Sequence, residues 1–241
     1  VRDGAVQTYK GNIDVGSLEI LDATDSVTLG ADTSKTVKTA TSVDINSLTG
    51  KLTQNAKVDA GTSLDYDAAG TIGINEFITT GTTIDIDALQ TTTIAEAGDI
   101  DAGGAVTFGS DKAGTLTTAA NINTTDDNVT FANAVTLSGG DAAVSIDTTG
   151  AGAGNILFQS EVLTGGQALT LDAGTAGNIT ADASITGGGA LTVRDGAVQT
   201  YKGNIDVGSL EILDATTSVT LGADTSKTVR TATSVDINSN S

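Results

Sequence analysis

The chain has no cysteine, histidine, proline, methionine or tryptophan among its 241 residues. Without cysteine or histidine there is no disulfide, no thiolate or imidazole metal site, and no catalytic dyad or triad that uses either residue. Aromatic residues make up only 3% of the chain, which leaves almost nothing on which nucleic-acid bases could stack. Basic residues are also scarce, 11 against 30 acidic ones, for a formal net charge of −19. A phosphate backbone is repelled by that balance, so nucleic acid is excluded as a partner. No apolar run approaches the ~20 residues of a membrane-spanning helix, and no span is expected.

What is present is glycine, 30 residues of it, with valine, isoleucine and leucine at regular intervals. Acidity with few aromatics is also a signature of disorder, but disordered chains do not space their aliphatic residues regularly. Self-comparison shows a long period. Residues 1–47 recur as residues 193–239 with two differences, Asp25 becoming Thr217 and Lys38 becoming Arg230. Residues 1–192 therefore read as one complete repeat unit and 193–241 as the start of the next, a single rod without a globular subdomain. Because residue 1 falls inside a repeating phrase, the chain reads as an excerpt from a longer tandem array.

A shorter period lies within the long one. Leu52, Ile72, Ile94 and Leu116 each begin a group of apolar residues. Val58, Ile78, Ile100 and Ile122 follow, and then the pairs Leu64/Tyr66, Ile84/Ile86, Val106/Phe108 and Val129/Phe131. The beat continues from Ile156 and Ile179, and it also fits Val6, Ile13, Leu18 and Ile20. Apolar–x–apolar places two side chains on one face of a strand. Three such strands in each ~21-residue turn, with a constant period, predict a parallel β-solenoid of about eleven turns. Helix is disfavoured, because the i, i+3, i+4 pattern is missing. Gly61, Gly81, Gly103, Gly165 and Gly188 keep the same beat and are assigned to corners. Thr71, Thr93 and Thr115 are assigned to an outward ladder. The connections Ser138–Asp141 and Gly150–Gly154 read as bulges.

Phrases such as Asn128-Val129-Thr130-Phe131, Gly154-Asn155-Ile156-Leu157-Phe158, Ala168-Leu169-Thr170-Leu171, Gly177-Asn178-Ile179-Thr180 and Ala190-Leu191-Thr192-Val193 resemble the repeats of filamentous-haemagglutinin-like bacterial surface proteins. The resemblance implies a right-handed parallel β-helix, export to the cell surface, and a role as stalk, adhesin or fibre. The partners it implies are further copies of the repeat, in one chain or stacked end to end, and a cell-surface glycan or protein.

Candidate chemistry rests on carboxylates. Asp65 and Asp67 flank inward Tyr66, and Asp85 and Asp87 flank inward Ile86, so all four are expected to point outward from neighbouring turns. Like charges ~4.8 Å apart are unfavourable unless screened, protonated or bridged by a cation. One reading is a weak Ca²⁺ site; the other is a solvated acidic face that keeps fibres apart. Asp126–Asp127 reads as turn chemistry. No catalytic residue and no other cofactor is assigned. The alternative to a structural role is a β-helix that binds or cleaves polysaccharide. Such an enzyme needs one groove with paired carboxylates, whereas the basic residues here are dispersed. Ice binding is a third class, set aside because no second threonine stands two places on in every turn.

Overall fold

A computed structural model describes residues 2–139, 143–150 and 152–239. The bulges expected at Ser138–Asp141 and Gly150–Gly154 fall partly outside those residues. The chain is an all-β parallel solenoid of about ten turns, each of about 22 residues, with no helix among the described residues. It divides into two compact units, residues 1–120 and 121–241.

In the first unit each turn lays one strand on each of three columns. One column stacks the end of the bent strand Leu18–Leu29, Lys51–Gln54, Ile72–Ile74, Thr91–Ile94 and Thr115–Thr118. The next stacks Ile13–Val15, Thr36–Thr39, Lys57–Ala60, Ile78–Thr80 and Ile100–Ala102. The third stacks the start of Leu18–Leu29, Val43–Ser47, Leu64–Ala68, Ile84–Ala88 and Val106–Phe108. Every pairing is parallel, so identical positions on successive turns lie over one another. Leu64, Ile84 and Val106 form one buried pile, and Tyr66, Ile86 and Phe108 another. No single turn could bury these side chains alone, and each contributes roughly 1.5–3 kcal/mol once covered.

Corners are closed by two devices. Thr39 and Thr80 point inward at strand ends, and their hydroxyls donate to the carbonyls of Thr41 and Thr82 at 3.3 and 3.1 Å. At the following corner Gly61, Gly81 and Gly103 stack so tightly that a Cβ on Gly81 would lie 2.2 Å from the Gly61 carbonyl oxygen. Close backbone approach, with no positive φ, is what requires glycine there. Gly165 and Gly188 instead adopt φ of 60° and 81°.

Three expectations are corrected. Thr92, not Ile94, lies over Ile72 and under Leu116, so Ile94 is the second inward residue of its strand. Thr71, Thr93 and Thr115 consequently do not form one ladder. Thr91 pairs with Thr115, and Thr93 pairs with Gly73 and Thr117, giving two columns that Gly73 and Lys51 interrupt. Val6 is 60% exposed, while Gln7 takes the inward place. Gln7 Oε1 accepts from the Tyr9 hydroxyl at 2.9 Å, and the equivalent Gln199 donates to the Asp214 carbonyl at 2.8 Å.

In the second unit Val129–Phe131, Ile156–Phe158, Ile179–Ala181, Val198–Tyr201 and Ser218–Leu221 form one column. The rings of Phe131 and Phe158 stack within it, centroids 4.7 Å apart. The spacing in sequence makes Val129 the third element of a turn and Ile156 the first of another, whereas Ile156 lies directly on Val129.

The repeated phrase folds alike in both places. Ile13 pairs with Val37 and Ile205 with Val229; Leu18 pairs with Val43 and Leu210 with Val235. Gln7 pairs with Val27 and Gln199 with Val219 in the same way.

Candidate functional site: an acidic ladder with a lysine cap

In the first unit, parallel register carries an outward column of carboxylates up the third stack. Glu19 pairs with Asp44, Asp44 with Asp65, and Asp65 with Asp85. Two residues further along each strand, Asn46, Asp67 and Asp87 form a second column. Alternation along a strand sends Tyr66 and Ile86 inward and the flanking aspartates outward, as expected from sequence. The four predicted residues are thus brought together as two pairs on adjacent rungs.

The segment after Val106–Phe108 covers them. Gly109 turns the chain with φ of 76°. The Ser110 hydroxyl then sits 2.8 Å from Asp87 Oδ2 and 3.1 to 3.2 Å from the two oxygens of Asp85. It carries one proton, so it serves one carboxylate at a time. The Asp111 backbone N–H donates to Asp87 Oδ2 at 3.2 Å. Lys112 reaches across to Asp67 and forms an ion pair with it. Asp87 is left only 3% exposed, and its Oδ1 is buried without a partner among the described residues.

Burial and then crowding raise the proton affinity of Asp44, Asp65 and Asp85. Asp65 is pushed up to about 6, first by burial and then by the charges of Asp67, Asp44, Asp85 and Asp87. Asp85 is raised by burial and by Asp87, with the Ser110 hydrogen bond opposing. Asp44 is raised by burial, Glu19 and Asp67.

Sequence reasoning found four of these carboxylates but missed Glu19 and Asp44, which extend the same column, and the Ser110–Lys112 cap. Asp44, Asp65 and Asp85 recur at turn spacing, a signal open to inspection. The cap carries no such signal, because it is a local excursion between strands. Among the described residues no three acidic side chains converge as a metal cage requires. A protein ammonium and a hydroxyl meet carboxylate oxygens of the ladder instead. Asp126 adopts φ of 66°, and Thr124 Oγ1 donates to the Asp127 carbonyl at 2.5 Å, consistent with turn chemistry.

Fold and internal repeat together define a β-solenoid repeat protein. No known protein family, curated protein or solved structure matches the chain. Among the described residues no helix is long and apolar enough to cross a membrane.

Proposed function

We propose that the chain is a non-catalytic structural segment of a repetitive bacterial surface fibre or adhesin stalk, working outside the cell. The observation that carries this reading is the stacking of one phrase in two places. In the first copy Val37, Val43 and Ile45 are fully buried under Val58, Leu64 and Tyr66. The second copy keeps the same register, with Ile205 on Val229 and Leu210 on Val235. A turn is covered by its neighbouring turn, the property of a module whose work is to be stacked. Its partners in this reading are further copies of its own repeat, within one chain or end to end, and a cell-surface glycan or protein. Electron microscopy and sedimentation of the purified chain test the association. The reading expects concentration-dependent end-to-end assembly that Val235→Asp abolishes; monomers at every concentration would remove it.

Polysaccharide cleavage is the competing reading. An assay for reducing or unsaturated ends released from acidic polysaccharides separates the two, and the structural role expects none. Ice binding gains a second threonine column from the observed register. Gly73 and Lys51 break both columns, however, and an unbroken flat array is what matching to ice demands.

A further inference from the structure

The second unit carries three Asn-x-Thr triplets, Asn123-Thr124-Thr125, Asn128-Val129-Thr130 and Asn178-Ile179-Thr180. Two of them lie on one column. Val129, Ile156 and Ile179 pair in succession and are buried, so the residues on either side of each point outward. Asparagine and threonine of one triplet therefore stand on the same outer face: Asn128 with Thr130, and Asn178 with Thr180. Both asparagines are exposed.

A side-chain ladder fixes how these amides are presented. Asn128 Oδ1 accepts from the Asn155 backbone N–H and from Asn155 Nδ2, both at 2.9 Å. Asn155 Oδ1 accepts from the Asn178 N–H at 2.8 Å, and Asn178 Oδ1 accepts from the Val198 N–H at 3.2 Å. Every oxygen is used. The nitrogens differ: Asn155 Nδ2 is tied to Asn128, whereas Asn128 Nδ2 and Asn178 Nδ2 have no partner among the described residues. The rung whose amide nitrogen is engaged is also the rung that lacks the hydroxyl, since Leu157 replaces threonine there. The two free nitrogens stand two rungs apart, about 9.6 Å, which gives each attached sugar its own space.

We propose that Asn128 and Asn178 are N-glycosylation sites. The donor is a glycosyl phosphate, either nucleotide-linked or lipid-linked, and the catalyst is a transferase that reads Asn-x-Thr. Asn Nδ2 attacks the anomeric carbon of the sugar and a C–N bond forms. The bond from that carbon to the phosphate oxygen breaks, its electron pair leaves with the phosphate, and the amide proton passes to a base of the transferase. No oxidation or reduction is involved. Asn123 carries the triplet on another column, outside the amide ladder, with Thr124 buried and Thr125 exposed. The inference is independent of the fibre reading, because it needs only an exposed acceptor and a transferase.

Glycopeptide mass spectrometry tests it on the protein isolated from its own cells and on purified chain. The purified chain is incubated in one arm with a soluble transferase and UDP-glucose, in the other with membranes and a lipid-linked oligosaccharide. Sugar is expected on Asn128 and Asn178, as single hexoses for the first donor or a block for the second. Thr180→Val keeps the amide ladder and should remove modification at Asn178 alone. Leu157→Thr completes a triplet at Asn155, which should stay unmodified in folded chain and become modified in unfolded chain. Unmodified Asn128 and Asn178 in both the native protein and the purified chain would overturn the proposal, as would sugar on Asn178 that survives Thr180→Val.

Discussion

Two glycines of one turn show how the same residue type carries opposite weight. A Cβ on Gly81 meets the Gly61 carbonyl oxygen, a backbone atom that cannot step aside, whereas a Cβ on Gly73 meets nothing within 4 Å. Gly81→Val should lower stability by about 2–3 kcal/mol, the upper end of ordinary single-site losses. Gly73→Thr should be neutral or stabilising by up to ~1 kcal/mol, because it restores a strand-forming residue between Thr53 and Thr93. Thermal melts of the two variants beside the parent check the pair. At this scale the sequence was readable where a residue's polarity matched its side. Val6 outside, Gln7 inside and Thr92 inside broke the match. A buried polar group can be held by a backbone partner that composition does not reveal, as the Thr80 hydroxyl shows by bonding the Thr82 carbonyl.

A strand in this fold inherits its neighbour's charge as well as its neighbour's shape. The stack Val43–Ser47, Leu64–Ala68, Ile84–Ala88 therefore concentrates aspartate. Asp65 holds its proton up to about pH 6 in the fold, far above an ordinary carboxyl, so between that value and about 4 the folded chain binds more protons than the unfolded one. Stability must then rise as pH falls from 7.5 towards 5. Melting temperature should climb over that window, and Asp65→Asn should flatten the climb and raise the melting temperature at pH 7.5. Lys112→Met removes the cap's cation and should lower the melting temperature more at pH 7.5 than at pH 5, since protonation relieves what Lys112 balances. Millimolar Ca²⁺ should leave the melt unchanged, because no carboxylate cage forms among the described residues. The ladder itself was legible, because spacing and alternation alone put Asp65 over Asp85. Which of three strands a given apolar pair belongs to was not. All three share the signature apolar–x–apolar, so once the irregular turn after Val135 shifted the count, nothing in Ile156-Leu157-Phe158 could reset it. The answer comes only from its contact with Val129–Phe131.

The chain as a whole is a set of nearest-neighbour agreements, since nearly every strand pairs only with equivalents one turn away. Damage should accordingly stay local. Ile84→Asp or Val106→Asp buries an unpaired charge at a fully covered position and should cost several kcal/mol. Amide hydrogen exchange should accelerate in Leu64–Ala68, Ile84–Ala88 and Val106–Phe108 and stay at parent rates in Ala190–Val193 and Ser209–Ile212. Uniform acceleration in both units would show a single cooperative block instead. At this scale the architecture was clear from sequence, because a beat sustained over the whole length leaves few solutions. The function was not, because a surface of threonine, asparagine and aspartate is compatible with many neighbours.

The matching registers of the two copies bear on how such a gene changes length. Ile13 finds Val37 and Ile205 finds Val229 in the same register, so the segment brings its own folding instructions wherever it is inserted. Recombination between near-identical stretches of DNA can then add or delete whole segments without inventing a new core, and selection is free to tune reach by copy number alone.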